Sequence, residues 1–356
     1  LSRSYPEGML ASNILGFYNF LQRNGGRGWF GVEEKYNDTL MGKVQEVKYW
    51  INPFKASENP TAQSETASLI LTIDREIQAA MEELITRAVE QYDADSGTII
   101  VMDPSNGEIL AMVSLPQMDL NRYWEVNDIF PVSQFYNRAI GQPAEPGSVF
   151  KILTMASALD SGLVTPSTTY VDNGVNYVGG VAIYNWDWGA YGEQDMIGCL
   201  QHSLNTCLSS TAEDLGATRF YEYMDRFGIG QRTYIDLAGE VVYPMRRPGD
   251  QNWYEVDLGT NSFGQGISVT PIQLISAISA VANEGRMMQP HVVKAVIKDG
   301  QQTDIRPRLI STPISAETAR TLSEMLAISL ENEASNALVE GYRVAGKTGT
   351  AQIPGG

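Results

Sequence analysis

Hydrophobic and polar positions are patterned most clearly between residues 69 and 114, where they predict a strand, a helix and a hairpin. LILTID (69–74) has the β-branched content of a strand, and Asp74 can cap a following helix. Apolar residues then recur at helical spacing and form one face, namely Ile77, Met81, Leu84, Ile85 and Ala88. Two strand-like runs within 98–114 flank Asn106-Gly107, a strong hairpin-turn signal.

The rest of the chain after residue 114 is predicted to be mostly helical. A helix is predicted from Ser148 to Ser161, with Gly162 as its stop. The other predicted elements are two short helices within 198–216 that break at SLN, helices over 270–285 and 315–334, and a strand over 343–353. We therefore expect an α+β fold in which helices pack in layers with an antiparallel sheet.

The first 66 residues are irregular and form a separate predicted unit. ASENPTAQSETA (56–67) has no apolar residue except alanine, which is typical of a linker, so we place a boundary between domains 1–66 and 67–356. No run of 18 apolar residues and no signal peptide is visible in the sequence. Because the chain begins at Leu1 without a methionine, we expect it to be part of something longer.

Composition and charge exclude several classes of function. The 356 residues include 42 acidic and 25 basic side chains, for a net charge of −17. Nucleic acids and anionic membrane surfaces require a basic face, so neither is expected as a partner. With two cysteines, two histidines and no CxxC pair, no metal site and no cofactor are predicted.

The cysteines and histidines also bear on the chemistry that the chain can perform. His202 and His291 lie far apart in sequence, so a Ser-His-Asp triad is poorly supplied. Cys199 and Cys207 could pair if the chain turned between them. From the burial preference of cysteine, we expect two buried free thiols instead.

The stretch EPGSVFK (145–151) contains the first candidate catalytic pair. Ser148 and Lys151 stand three residues apart and share one face of the predicted helix. Lysine can take the proton of a serine nucleophile if burial or a nearby positive charge lowers its pKa. The helix N-terminus also favours developing negative charge. The alternative is a serine cap followed by a solvated lysine.

Two later motifs add weight to the catalytic interpretation. Ser203 and Asn205 stand at the predicted helix break, where a hydroxyl and an amide can relay protons or hold an amide substrate. Lys347, Thr348, Gly349 and Thr350 lie on the predicted last strand, where hydroxyls and a lysine suit a carboxylate and the glycine permits close approach. The alternatives are a helix cap and an edge-strand lysine. Together, the order SxxK, SxN, KTG is the set of penicillin-binding proteins and class A β-lactamases.

The sequence resembles class B penicillin-binding proteins, the monofunctional D,D-transpeptidases of bacterial cell-wall synthesis, over nearly its whole length. The segments that carry the resemblance, in family order, are RSYPEGMLASNILGF, GVEEKYNDTLMGK, LTIDREIQ, VMDPSNGEILAMVS, NRAIGQPAEPGSVFK, FGQGISVTPIQL and AGKTGTAQ. It implies a penicillin-binding, serine-β-lactamase-like transpeptidase domain (67–356), with an antiparallel sheet between helices. It also implies that residues 1–66 are part of an N-terminal pedestal, or dimerisation-type, domain.

The resemblance further implies segments beyond both ends of this chain. The transpeptidase domain is expected to continue through further strands and a C-terminal helix. A single-pass membrane anchor is expected before Leu1, with the catalytic domain outside the cytoplasm. The expected partners are peptidoglycan stem peptides ending in D-Ala-D-Ala, β-lactam antibiotics and a membrane glycan polymerase of the SEDS type. Roles in elongation, division or sporulation all agree with the resemblance.

The resemblance assigns a role to each motif residue. Ser148 would attack the penultimate D-alanine carbonyl and form an acyl-enzyme, and Lys151 would accept its proton. Ser203 and Asn205 would complete the proton relay and hold the substrate amide, with electrostatic support from Lys347. Thr348 and Thr350 would bind the terminal carboxylate. The backbone N–H groups of Ser148 and Thr350 would form the oxyanion hole.

Three alternatives to a transpeptidase stay open on sequence grounds. A serine β-lactamase or a D,D-carboxypeptidase would pass the acyl group to water. A class A β-lactamase needs a general-base glutamate in an ExxLN-type loop, which Glu331-Asn332-Glu333 does not fit. A β-lactam sensor or inactive scaffold is disfavoured because all three motifs are intact. The aromatic-rich segment 175–196 could line the cleft, but we expect most of its rings to be structural.

Overall fold

The computed structural model describes residues 3–20, 26–42, 66–131 and 134–351. The α-helices described there are α1 Ser12–Leu15, α2 Gly31–Lys35, α3 Asn37–Met41, α4 Arg75–Tyr92, α5 Val126–Ile129, α6 Arg138–Gly141, α7 Lys151–Asp160, α8 Met196–Gln201, α9 Asn205–Leu215, α10 Ala217–Arg226, α11 Glu255–Ser262, α12 Pro271–Ala282 and α13 Ala316–Glu333. Short 3₁₀ helices span Leu120–Glu125, Gly147–Phe150 and Ser335–Ala337.

The strands pair as short antiparallel ladders throughout the described residues. They are β1 Phe17–Asn19, β2 Arg27–Trp29, β3 Ser68–Leu71, β4 Gly97–Met102, β5 Ile109–Leu115, β6 Thr169–Asp172, β7 Val175–Val178, β8 Val181–Tyr184, β9 Gly192–Asp195, β10 Met287–Met288, β11 Val293–Lys298, β12 Gln301–Asp304 and β13 Leu309–Ser311. β3 joins β11 and β12 in a three-stranded sheet, and the others form pairs.

The predicted strand, helix and hairpin over 69–114 are confirmed. Asp74 caps α4 by accepting hydrogen bonds from the amides of Glu76 and Ile77. β4 and β5 form the hairpin, and Gly107 in its turn has φ +88°, a conformation that favours glycine. A Cβ at Gly107 would also lie 2.2 Å from the carbonyl oxygen of Gln289, so the close approach of that segment requires glycine.

The predicted layering of helices and antiparallel strands is confirmed around this hairpin. α4 and α6 pack against both β4 and β5, and α12 packs against β4. Ile109, Met112 and Ile272 are fully buried in the core between these layers. The mixed α+β fold thus includes an antiparallel hairpin that three helices contact.

A larger helical core surrounds α7, which is contacted by α9, α10, α12 and α13. Phe150, Leu153, Leu208 and Leu322 are fully buried within it. The predicted helices over 270–285 and 315–334 are confirmed as α12 and α13, and the break at SLN separates α8 from α9. The helix predicted from Ser148 begins as one 3₁₀ turn and becomes α-helical at Lys151.

The prediction of a strand over 343–353 is wrong for the part that the structure describes. Residues 343–351 are neither helix nor strand, and no described strand pairs with them. Threonines and alternating residues favour an extended backbone, whereas a strand also requires a neighbour that accepts and donates ladder hydrogen bonds. Here the segment lies instead against the Ser148 turn, as described below.

Residues 3–20 and 26–42 contact the segment that follows residue 66. The amide of Ala11 donates to Glu82 of α4, and Asn13 donates to the carbonyl oxygen of Tyr136. No helix in the described ranges is long and apolar enough to cross a membrane. The boundary at residue 66 stays a prediction.

Candidate active site

Three close glycine contacts fix the position of Ser148 at the start of the α7 region. Gly147, with φ +55°, donates its N–H to the carbonyl oxygen of Gly264 at 3.1 Å. A Cβ on Gly264 would lie 2.2 Å from the Gly147 oxygen, and one on Gly147 would lie 2.4 Å from the Thr350 oxygen. Ser148 therefore stands where three backbone segments meet, and side chains at these glycines would separate them.

Lys151 lies one turn beyond Ser148 and is fully buried. Its Nζ donates to the carbonyl oxygen of Ser203, to the Ser203 Oγ at 3.0 Å and to the Asn205 Oδ1 at 2.8 Å. Burial lowers the pKa of Lys151 well below its ordinary value, and the positive charge of Lys347 lowers it further. The neutral amine, which can accept a proton, is thus easier to form at this position than at an exposed lysine.

The SLN segment supplies all three hydrogen-bond acceptors of Lys151. Ser203 has φ +53°, a left-handed conformation that is unusual for serine and ends the connection between α8 and α9. Asn205 begins α9, and its Nδ2 donates to the carbonyl oxygen of Tyr184 at 2.9 Å. That contact turns the Oδ1 of Asn205 towards Lys151. The predicted break at SLN therefore presents polar atoms to the lysine.

The expectation of free thiols at Cys199 and Cys207 is wrong, because the two form a disulfide across this break. The chain reverses between α8 and α9 and brings their Cα atoms to 6.1 Å, within the usual range for a disulfide. Both cysteines are fully buried. The sequence left this pairing open because it depends on how sharply the chain turns at residues 202–204.

The KTG segment lines the same cleft as SLN. A Cβ on Gly349 would lie 2.6 Å from Cγ2 of Val149, so glycine lets this backbone reach the Ser148 turn. Burial lowers the pKa of Lys347, whereas the negative charge of Glu333 acts in the opposite direction. Thr348 and Thr350 face the same cleft as Ser148.

A cleft of about 470 Å³ joins these elements. Of the predicted site residues, Ser148, Ser203, Asn205, Thr348, Gly349 and Thr350 line it. Lys151 lies behind this wall, and Lys347 lines a small neighbouring cavity with Thr348. The structure thus brings together all eight residues predicted from the three motifs.

Other residues that line the cleft were not predicted, namely Trp186, His202, Phe263, Gln265, Glu333 and Ala351. Phe263 and Gln265 belong to the FGQG segment, and His202 directly precedes SLN. All three therefore lie in or beside segments that carried a sequence signal. Glu333, at the end of a long helix, carried none. Among the described residues, no group of three or more His, Cys, Asp or Glu side chains could hold a metal ion.

The expectation that most aromatic rings of 175–196 are structural is also wrong. Tyr177, Tyr184, Trp186 and Trp188 are exposed, with Trp188 at 74% of its full accessibility. The polar residues beneath them are buried instead, since Asp172 accepts hydrogen bonds from several groups around this loop. Buried polar contacts therefore hold the loop, and its rings are left to solvent or to a ligand.

Comparison with known proteins agrees with this geometry. The family described as "Penicillin binding protein transpeptidase domain" matches residues 97–356. The chain is 35% identical over 366 residues to stage V sporulation protein D of Bacillus subtilis and 33% identical over 377 residues to PbpB of Mycolicibacterium smegmatis. Each match covers 98% of this chain but only 54% and 55% of the relatives, so the chain spans about half their length.

Solved structures of similar fold come from the same group of proteins. Apo penicillin binding protein 3 of Mycobacterium tuberculosis has a TM-score of 0.85 at 30% identity, covering 99% of this chain and 76% of that one. The aztreonam complex of the same protein has a TM-score of 0.80 at 28% identity, covering 97% and 71%. The D,D-transpeptidase domain of a peptidoglycan glycosyltransferase from Eggerthella lenta has a TM-score of 0.82 at 25% identity, covering 100% and 82%. The chain belongs to the penicillin-binding protein transpeptidase family, and its similarity to these relatives over 98% of its length makes it a class B penicillin-binding protein.

Proposed function

We propose that this chain carries the catalytic centre of a peptidoglycan D,D-transpeptidase. The observation that supports this best is the position of Lys151, fully buried behind Ser148 and bonded to Ser203 and Asn205. A buried lysine without a carboxylate partner costs stability, so its retention points to use as a base. Relatives named as peptidoglycan D,D-transpeptidases support the same reaction class.

The hydrogen bonds of Lys151 suggest how it would act in its neutral form. A neutral amine has two N–H donors and one lone pair. The carbonyl oxygen of Ser203 and the Oδ1 of Asn205 can only accept, so they would take both donors. The Ser203 hydroxyl can then donate to the nitrogen lone pair, or the Ser148 hydroxyl can replace it as the donor. Lys151 and Ser203 would thus pass the Ser148 proton onward.

Acylation would proceed from this arrangement by addition to the carbonyl followed by elimination of the leaving group. The Ser148 Oγ would attack the penultimate D-alanine carbonyl of a stem peptide while its proton passes to Lys151. The amide N–H groups of Ser148 and Thr350 would hold the oxyanion, and Thr348 and Thr350 would bind the terminal carboxylate. Terminal D-alanine would leave with a proton returned through Lys151 and Ser203. β-Lactams would acylate Ser148 by the same route.

The expectations about the whole protein are part of this proposal. Residues 1–66 would belong to an N-terminal pedestal, and 67–356 to the transpeptidase domain. The native protein would be anchored in the cell membrane by a single span, with its catalytic domain outside the cytoplasm. It would work with a glycan polymerase of the SEDS type.

Covalent labelling tests the proposed nucleophile. A fluorescent penicillin should attach to Ser148, as located by mass spectrometry of the labelled peptide, and Ser148→Ala should remove the label. Ser161→Ala is a matched control near the end of the same helix, since its hydroxyl bonds only locally to the carbonyl of Ala158. Labelling that persists in Ser148→Ala would contradict the assignment, and loss of the label within seconds would favour a β-lactamase.

A further inference from the structure

His202 and Glu333 form a pair in the cleft that the mechanism above does not use. The His202 Nδ1 lies 3.6 Å from the Glu333 Oε1, and both residues line the cleft with Ser148. His202 directly precedes Ser203, and the ring of Tyr191 stacks on it with centroids 4.8 Å apart. The histidine is therefore held in place beside the proton relay.

The position of Glu333 is unfavourable for the stability of its own helix. It is the last residue of α13, an 18-residue helix, and a negative charge at a helix C-terminus opposes the macrodipole. Its neighbour Glu331 is compensated by an ion pair with Arg343. The Glu333 carboxylate lines the cleft instead, where the basic side chains near it are His202 and Lys347. Residues that conflict with local stability are frequent at functional sites.

Glu333 is also the one carboxylate among the described residues that line this cleft. A transpeptidase needs a second substrate, an amine, which is protonated near neutral pH and seeks an anion. Lys347 lines a small neighbouring cavity together with Glu333, whereas the hydroxyls of Thr348 and Thr350 line the cleft and suit the carboxylate of the donor peptide. The Glu333 carboxylate therefore supplies the negative charge that the described part of the cleft offers to an ammonium, while the threonine hydroxyls suit a carboxylate.

We infer that the Glu333–His202 pair is the binding site for the acceptor ammonium in the second half of the reaction. This inference rests on the proposed transpeptidase function and adds the recognition of its second substrate. Glu333 would hold the ammonium beside the acyl ester on Ser148, and the fixed position would replace a bimolecular encounter. Glu333 is thus a specificity residue for amines over water.

The proton count of this step is complete. The acceptor R–NH₃⁺ loses its first proton to the Glu333–His202 pair, from which it passes to solvent. The nitrogen lone pair attacks the ester carbonyl, a C–N bond forms, and the bond between that carbon and the Ser148 Oγ breaks. The second nitrogen proton reaches the Ser148 Oγ through Lys151. The products are an amide and a free serine hydroxyl.

Paired acceptors separate charge recognition from a general loss of structure. A D-alanyl thioester donor would acylate Ser148 and release a thiol, which reports acylation. D-Alanine and D-lactate would then serve as acceptors, since they share a skeleton and differ in whether the nucleophile is a cationic amine or a neutral hydroxyl. In Glu333→Gln, the rate of transfer to D-alanine relative to the rate of acylation should fall about tenfold, because the KM for D-alanine rises. The same ratio measured with D-lactate should stay at the value of the parent protein.

Two further variants complete the test. Glu331→Gln removes the same charge from the same turn of α13, while Arg343 keeps its ion pair with Glu324, so it should transfer to D-alanine like the parent protein. Glu333→Asp keeps the charge and should retain more amine transfer than Glu333→Gln. The inference is overturned if Glu333→Gln lowers transfer to D-alanine and to D-lactate equally, or if Glu331→Gln lowers transfer to D-alanine as much as Glu333→Gln does. It is also overturned if the acylation rate of Glu333→Gln falls in proportion to its transfer rate, which would indicate that Glu333 acts through Lys347. Absence of thiol release from the parent protein would instead overturn the proposed function.

Discussion

Gly264→Ala should disable Ser148 without touching any side chain of the three motifs. The Cβ of alanine would lie 2.2 Å from the carbonyl oxygen of Gly147 and 2.7 Å from its nitrogen. Nonbonded Cβ contacts below 3.0 Å essentially never occur, so the Gly147 backbone must move by about 0.8 Å or more. Gly147 directly precedes Ser148 and bonds to the Gly264 carbonyl, so the nucleophile must move with it.

The size of the effect follows from that displacement. A misplacement of about 1 Å at a reacting group can reduce a rate about 100-fold, or about 2.7 kcal/mol in activation free energy. A separate cost arises because Gly264 has φ +83°, where alanine is strained by about 1–2 kcal/mol. We therefore expect a roughly 100-fold slower acylation by fluorescent penicillin, measured as the second-order rate constant, together with a lower free energy of unfolding.

Gly249→Ala provides the matched control for this prediction. Gly249 also has a positive φ, +96°, but a Cβ there would meet no atom within 4 Å. It should lose a similar free energy of unfolding to strain, as measured in urea, and acylate at the parental rate. If Gly264→Ala acylates as fast as Gly249→Ala, the glycine contact does not position Ser148 and the reasoning is refuted.

Two further predictions concern the lysine pair and the disulfide. Because Lys151 must be neutral to act as a base and its pKa is lowered, the acylation rate should rise with pH and level off well below the ordinary lysine pKa. Lys347→Gln removes a positive charge and raises the pKa of Lys151, so it should move that rise to higher pH. A shift of the rate profile to lower pH would contradict the electrostatic coupling. Cys199 and Cys207 are eight residues apart, so loss of their cross-link from the unfolded chain should lower the free energy of unfolding by about 2.5 kcal/mol in the chain-entropy estimate. Urea unfolding with and without reductant measures this difference. A Cys199→Ala/Cys207→Ala protein whose free energy of unfolding still responds to reductant would contradict the prediction.

Local signals predicted most of the elements correctly. The cap at Asp74, the Asn106-Gly107 turn and the break at SLN each depend on a few neighbouring residues, and each is confirmed. The spacing of Ser148 and Lys151 likewise depends on one helical turn. Local propensity failed at residues 343–351, the described part of the last predicted strand, because a strand is defined by a partner that lies elsewhere in the chain.

The sequence by itself determined which groups could perform the chemistry, since SxxK, SxN and KTG name a nucleophile, a base and polar partners in order. Only the tertiary structure decided the state of those groups. Lys151 is buried because helices distant in sequence surround α7, and that burial is the larger cause of its lowered pKa, ahead of the charge of Lys347. The tertiary structure also decided the disulfide and the pairing of His202 with Glu333, because packing must bring two segments together in each case. The pattern of residues along the chain does not contain the distance between those segments.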